Sequence, residues 1–410
     1  MVSSCALYFD DIFIDSQKAS IPVDFIFLFQ ESDRLELESE QVDDADYVSA
    51  RVFYRASRAI VLERLDLGGF TKQYAEQEFQ AWLEEERKSY NDYVTAGAEW
   101  AKETAEALAA LNYPQWTSRL KDVLMRRYDR NRDSNFYADE IDRLMRTDTT
   151  LAFSYPLVCI RAMLDALPDV REISLEIGPL IDGGWIEPDA KICEEARGPA
   201  AQECTILAPA VIVAEGGTDI LLLQRSLKRL YPHLSEYITF FDYEGLNPDG
   251  GAAFLVKFLR AFAAARINTL ILAVFDNDAV GLEALKTARG LALPENIRVA
   301  ALPDIELARS YPTIGPQGMH EMDINGCAVS IELFLGRHNI SGQDGSLIPV
   351  VWSNYVPAVQ KYQGAIRDKK AVLQRFVKDI EAEGEAADYR ARYPELVTLW
   401  EHLFYWLGKN

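Results

Sequence analysis

The stretch VIVAEGGTDILLLQ, residues 211–224, decides how the chain is read. Its opening is the β-branched, apolar run of a buried strand, and its close has the apolar spacing of a helix. Between the two stand Glu215, Gly216, Gly217 and, one helical turn beyond the glutamate, Asp219. A strand that ends this way delivers carboxylates to the point where it hands over to a helix, and the glycines let the backbone come close to whatever those carboxylates hold.

Outward from this stretch, strand and helix patterns alternate: APAVIVAE, LLLQRSLKRLYP, EYITFFDYEG, AAFLVKFLRAFAAARI, NTLILAVFDND, LEALKTARGL and NIRVAALP. The alternation predicts an α/β domain over residues 206–340, a mostly parallel sheet with flanking helices. In such sheets function collects at the carboxyl ends of the strands. The later strand TLILAVF ends on Asp276-Asn277-Asp278, so Glu215, Asp276 and Asp278 are expected to face one crevice. Carboxylates held together repel unless protons or cations neutralise them. Hard oxygen ligands suit Mg²⁺ or Mn²⁺, with Mg²⁺ completing its shell from water and substrate phosphate.

The remainder organises around that domain. Residues 1–50 read as a β-rich segment: CALYFDDIFI forms two strands around an Asp10-Asp11 turn, and DFIFLFQ (24–30) is a further strand. From about residue 50 to 167 the pattern turns helical, with a helix stop at Gly68-Gly69 and Thr71 capping the acidic run that follows. The region 168–205 connects, with a strand EISLEI and a turn DGGW. Residues 341–410 read as a helical C-terminal segment, a Pro- and Trp-containing link followed by helices from about 366. The aromatic tail LVTLWEHLFYWLG reads as core in preference to an interaction helix.

Composition bounds the chemistry. A chain of 410 residues, 49% hydrophobic, buries a sizeable core. Neither a basic leader followed by an apolar run nor a membrane-length apolar stretch occurs, which predicts a cytoplasmic protein with no membrane span. The five cysteines are scattered without a C-x-x-C pair, and the four histidines do not cluster, so metal sites of those ligands are disfavoured. A formal charge of −22 argues against broad adhesion to nucleic acid, leaving a local groove or a metal bridge. The basic stretch 119–132 reads first as a solvated helix face, and second as a nucleic-acid contact through Arg126, Arg127 and Arg130.

Taken together, Glu215-Gly216 and Asp276-x-Asp278 resemble the Toprim domain, shared by bacterial primases, topoisomerases and nucleases of the overcoming-lysogenisation-defect (OLD) type. The OLD-like nucleases add an aspartate four residues after the glutamate, matched by Asp219, and a downstream acid and lysine. DINGCAVSIELFLG offers Glu332 for the first and YQGAIRDKK offers Lys369 for the second. The start, SSCALYFDDIFIDS with FQESDR, resembles proteins described as HEPN/Toprim-associated, linked to bacterial antiphage systems. The resemblance implies Mg²⁺-dependent cleavage of DNA or RNA. Asp276, Asp278, Asp219 and Glu332 would be metal ligands, Glu215 a ligand or general acid/base, and Lys369 an electrostatic stabiliser. It also implies a HEPN-like helical module. That region has no histidine for the R-x4-6-H ribonuclease motif, which points to a dimerising or sensing role.

Other readings compete. VFDNDAVG fits the D-x-D-x-[TV] loop of haloacid-dehalogenase-like phosphatases, but that leaves Glu215 unexplained, and a glycosyltransferase D-x-D fits less well. DRNRDSNFYADE (129–140) resembles a Ca²⁺ loop with Ser134 in place of the turn glycine, and a plain helix connection is preferred. No P-loop occurs, so an ATPase or other activator would come from a partner, or an ATPase is dispensed with. The expected protein is a dimeric nuclease; the alternatives are a noncatalytic Toprim subunit that binds nucleic acid or regulates a partner, and a primase-like nucleotidyl transferase.

Overall fold

A computed structural model describes residues 3–37, 51–125, 153–198, 206–241 and 251–409. The chain divides into two compact units, Met1–Leu207 and Ala208–Lys409.

The first unit is built on a five-stranded antiparallel sheet. Its strands are β1 (Ser4–Phe9), β2 (Ile12–Lys18), β3 (Arg34–Leu37), β4 (Arg51–Ser57) and β5 (Glu172–Glu176), in the order β2-β1-β5-β4-β3. β1 and β2 turn tightly at Asp10-Asp11, where Asp10 takes a positive φ and its carboxylate accepts from Arg171 N and Glu172 N. β5 completes the sheet between β1 and β4 after a long helical excursion. The helices Arg58–Leu67 and Lys72–Thr95 start on side-chain caps, Ser57 Oγ accepting from Ile60 N at 3.3 Å and Thr71 Oγ1 from Tyr74 N at 3.1 Å. Phe79, Tyr113 and Trp116 stack where the helices meet.

Two elements differ from the sequence reading. The run 24–30 is not a strand: Val23–Phe27 is a short helix, with Phe25 to Gln30 all buried. Continuous burial erases the alternation that separates strand from helix, and Pro22, extended just before the helix, supplies a start. Residues 51–57 are the strand β4, not the beginning of the helical region, because they pair with β5, more than a hundred residues later.

The second unit holds a four-stranded, wholly parallel sheet. Its strands are β6 (Ala210–Val213), β7 (Ile238–Phe240), β8 (Ile271–Phe275) and, beyond the two-residue β9 (Asn277–Asp278), β10 (Ile297–Ala301). The order is β10-β8-β6-β7. Helices Gly217–Leu230, Ala252–Ala264 and Ala279–Arg289 connect successive strands, and Val213, Leu255, Leu259, Phe275 and Leu285 pack into one core. A mixed sheet follows from β11 (Tyr311–Gly315), β12 (Gly318–Met322), β14 (Val350–Val356) and β15 (Lys361–Ile366) in the order β12-β11-β14-β15, while β13 (Ala328–Val329) pairs with β9.

The C-terminal helices are Lys369–Ile380, Ala386–Arg392 and Pro394–Gly408. The last of these is core: Leu396, Leu399, Trp400 and Leu403 are buried, and Trp400 Nε1 donates to Ser226 Oγ at 2.9 Å. The segment expected to be a link and helices is different at its start, where residues 350–366 form the β14-β15 hairpin.

Candidate functional site

Because the strands of the second unit's first sheet are parallel, their carboxyl ends share one edge. Val213 of β6 lies opposite Ala273 of β8, so the residues that follow the two strands come out side by side. Glu215 Oε1 accepts from Asp276 N at 3.0 Å, and Glu215 O accepts from Gly251 N at 2.9 Å. The glutamate is thereby fixed across the gap between two neighbouring strands.

Gly216 is the N-cap of the helix Gly217–Leu230, with extended φ and no side-chain cap. A Cβ placed there would meet only Asp219 Oδ2, at 3.6 Å, so the backbone on this side stays open. Asp219, in the first turn, accepts from the Gly216 backbone, half of a capping box.

Asp276 and Asp278 flank the buried Asn277, whose Nδ2 donates to Asp304 Oδ1 at 2.7 Å. Asp278 is the N-cap of the helix Ala279–Arg289: Oδ1 accepts from Gly281 N at 2.7 Å, and Oδ2 accepts from Gln363 Nε2 at 2.5 Å. Gln363 Oε1 in turn accepts from Val280 N at 3.0 Å, so one amide from β15 clamps both the cap and the helix start. Gly281 has a steric reason to be glycine: a Cβ there would lie 2.3 Å from Asp276 O.

Glu332 sits in the 3-10 turn Ile331–Phe334 and is buried. Ser330 Oγ donates to its Oε2 at 2.5 Å, and Lys369 Nζ lies 3.3 Å from its Oε1. Lys369 opens its helix behind Asp368, which adopts a left-handed φ of 59°. Residues separated by more than 150 positions in the chain thus form one electrostatic group: Glu215, Asp219, Asp276, Asp278 and Glu332, with Lys369 as their cation.

The crowding shows in the protonation of Glu215, Asp219, Asp276, Asp278 and Lys369. Burial, with the charges of Asp278 and Asp219, pushes Glu215 up to about 7 against the hydrogen bond from Asp276 N. Burial and Glu332 likewise push Asp219 up to about 7. Burial raises Asp276 well above the ordinary range, reinforced by Glu215, Asp219, Asp278 and Glu332. Burial also raises Asp278, opposed by the bonds from Gly281 and Gln363. Burial works against the Lys369 ammonium, but Glu332, Asp276 and Asp219 outweigh it and hold its pKa above the ordinary value.

Every strand-end acid singled out in the sequence is in this group, and Glu332 and Lys369 join them. Gln363, Ser330, Asn277 and Gly281 were not singled out. Gly281, three residues after the D-N-D end, carried a usable sequence signal as a glycine inside a helix start; the others act through long-range pairing with no local signal. Among the described residues, no three His, Cys, Asp or Glu side chains already close on a point as a metal cage. Arg126, Arg127, Arg130 and the 129–140 stretch lie outside the described residues, as does Cys204. The described cysteines, Cys5, Cys159, Cys193 and Cys327, are free thiols. No helix among the described residues is long and apolar enough to cross a membrane.

Comparison with known proteins identifies a family for the N-terminal half. Residues 1–200, essentially the first unit, match the family model HEPN/Toprim N-terminal domain 1. No curated protein and no solved structure matches the chain.

Proposed function

We propose that the second unit is a Toprim domain of the OLD-nuclease type and that the protein is a Mg²⁺-dependent nuclease of DNA or RNA, acting as an antiphage effector. One observation carries the reading. Glu215, Asp219 and Asp276, drawn from the ends of two adjacent parallel strands and the following helix, share a site with Glu332 and Lys369, and burial together with neighbouring carboxylates raises the pKa values of Glu215, Asp219 and Asp276. The N-terminal match supports it, since the name of that family pairs such an N-terminal region with Toprim.

The donor set fits the metal. The acids of the group present carboxylate oxygens, the ligand type hard cations take, and excess negative charge is what a divalent ion relieves. Mg²⁺ uses one or two carboxylates and keeps water and substrate in its remaining positions. Asp276, Asp219 and Glu332 would hold it, with Asp278 contributing where its cap bonds allow. When bound, the ion polarises the scissile phosphate and stabilises the attacking and leaving oxygens.

The chain's own groups then have distinct tasks. Glu215, fixed by Asp276 N and poised near neutral pH, accepts the proton of the attacking water. Lys369 places a positive charge beside the reacting phosphate. Gln363 holds Asp278 and the start of its helix, which keeps Asp276 in position. The first unit serves as a dimerising or sensing module, and a partner supplies any ATPase.

A specific observation favours a second reading, a noncatalytic subunit that binds nucleic acid: both Asp278 oxygens already accept protein donors. One experiment separates the two. Purified protein and Asp276→Ala are incubated with plasmid DNA, single-stranded DNA and total bacterial RNA in Mg²⁺, Mn²⁺ or EDTA. Metal-dependent cleavage lost in the variant is the expected result. Binding without cleavage by the wild type in any metal would support the noncatalytic subunit, and nucleotide incorporation on a template would support a primase-like transferase.

A further inference from the structure

Glu332 and Lys369 have tasks in the proposed chemistry that compete for the same atoms. As a metal ligand Glu332 must turn an oxygen to the ion, yet both of its oxygens already meet protein groups. Ser330 Oγ donates to Oε2 at 2.5 Å, and the Lys369 ammonium lies 3.3 Å from Oε1. Lys369 Nζ also donates to Ser330 Oγ at 3.5 Å, which closes a ring of contacts around the carboxylate.

The two donors differ in their freedom to leave. Ser330 is 4% exposed and directly precedes the turn that carries Glu332, so its short side chain stays with the carboxylate. Lys369 stands at the first position of its helix on a long, flexible stem, and its side chain is 42% exposed. Rotation about that stem alone takes the ammonium to solvent.

The ammonium is already a cation among the acids. The charges of Glu332, Asp276 and Asp219 act on it, and it acts in turn on Glu215 and Asp278. A Mg²⁺ ion at its usual contact of about 2.1 Å, with twice the charge of an ammonium at 3.3 Å, attracts the same oxygen about threefold more strongly. Against that stands the reluctance of Mg²⁺ to lose water. The opposing terms leave the two occupants exchangeable, and two cations in contact with one oxygen repel each other.

We infer that Lys369 is the resting occupant of the cation subsite at Glu332 and yields that place when a divalent ion binds, its ammonium then free to meet an arriving phosphate. This rests on the Mg²⁺ reading above and adds the order of events within it. The Lys369–Glu332 pair keeps the acids compensated while no ion is present, and the same exchange that loads the site turns the lysine toward its second task. Ser330 holds Oε2 throughout, so Glu332 keeps its orientation while its partner at Oε1 changes.

The test reads binding by the full chain, with Mg²⁺ and Mn²⁺ as the probes in titration calorimetry. Lys369→Met should bind the ion more tightly than wild type by roughly 5- to 150-fold, the usual range of coupling between two linked occupants. Lys369→Arg should stay near wild type, because a guanidinium keeps the pairing. Lys370→Met removes an equal but exposed charge from the next position and should change affinity by less than about twofold. Adding Glu332→Gln to Lys369→Met should abolish the gain. In the wild type, mass-spectrometric mapping of acetylation by limiting acetic anhydride reads the displacement itself: Lys369 should become more reactive as the ion saturates, while Lys370 does not change. A gain that survives Glu332→Gln, an equal gain in Lys370→Met, a Lys369 no more reactive with ion bound, or no ion binding at all overturns the displacement. Ion binding that releases Lys369, with no cleavage of any nucleic acid, would refute the nuclease and leave the displacement standing. Metal-dependent cleavage with Lys369→Met binding the ion no more tightly would do the opposite.

Discussion

Replacing Asp276 with asparagine should stabilise the metal-free protein, although it removes the residue on which the proposed chemistry most depends. The reasoning runs through the charge crowd. Glu215 rises from 4.5 to about 7 on folding, and Asp219 from 3.8 to about 7. At about 1.4 kcal/mol per pKa unit, each ionised group costs roughly 3–4 kcal/mol above neutral pH. The costs are shared among coupled groups and do not add. Asp276, itself raised well above the ordinary range, takes its charge out of the group when it becomes asparagine of nearly equal shape. A gain of about 2 kcal/mol at pH 8 remains after allowing for solvent at these partly exposed carboxylates, or about 4–8 °C in a unit of this size. The sign with pH is fixed. Folded-state pKa values lie above the unfolded ones, so the native state holds the extra protons and wild-type stability falls as pH rises from about 4 through about 7. At pH 5 the gain should therefore shrink below about 1 kcal/mol. Thermal melts of wild type and Asp276→Asn in EDTA at pH 5 and pH 8 read this directly. A variant no more stable than wild type at pH 8, or a gain equal at both pH values, would refute the argument.

Three further outcomes follow from the same geometry. Saturating Mg²⁺ should raise the wild-type melting temperature, by an amount equivalent to about 3 kcal/mol at a hundredfold excess over Kd, more at pH 8 than at pH 5, and much less in Asp276→Asn; a melt titration checks it. Lys369→Met should destabilise by about 2 kcal/mol at pH 8, because Glu332 stays buried without its cation, and adding Glu332→Gln should restore most of the loss; the lysine is half exposed, which keeps the figure below that of a fully buried pair. Gly281→Ala should cost about 3 kcal/mol, since its Cβ collides with the Asp276 carbonyl, whereas Gly345→Ala, at an open surface turn, should be limited to the strain of its positive φ; denaturant unfolding of both variants compares them.

How far the sequence could be read follows the range of the interactions. The parallel sheet was legible because its strands are short apolar runs bounded by turn residues and separated by amphipathic helices, so each element carries its own signal. Thr71 was legible as a cap because a cap and its partner are three residues apart. β4 was missed because its strand character depends on β5, and the helix at 23–27 because an unbroken apolar run has no period. The β14-β15 hairpin was missed for both reasons: its residues are largely exposed without clean alternation, and a register shift between Trp352 and Tyr355 breaks the pattern. In the site, the acids were visible as residues, but Gln363 was not, since nothing near it in sequence announces a bond to Asp278.

The bonds within the acidic group also sort its members, which a motif cannot do. Asp278 caps a helix and meets Gln363, Glu332 pairs with Lys369 and receives Ser330, Glu215 is held by Asp276 N, and Asp219 by the Gly216 backbone. Among the described residues, no donor meets the Asp276 carboxylate, which has four like charges around it. A carboxylate with protein donors has a structural reason to be acidic, since its charge strengthens bonds that hold the fold. One without them is a cost to the native state unless a proton or cation arrives from outside. The reasons for keeping the other acids are thus mixed, while Asp276 has only the nearby charge of Lys369 within the protein to set against its cost. That is why its replacement, and not that of Asp278, separates a site built for a cation from a strand end that happens to be acidic: Asp278→Asn keeps an oxygen for the Gly281 cap but turns a donor toward Gln363 Nε2 and loses that clamp bond whatever the site does, whereas Asp276→Asn removes no hydrogen bond to its side chain from the described residues.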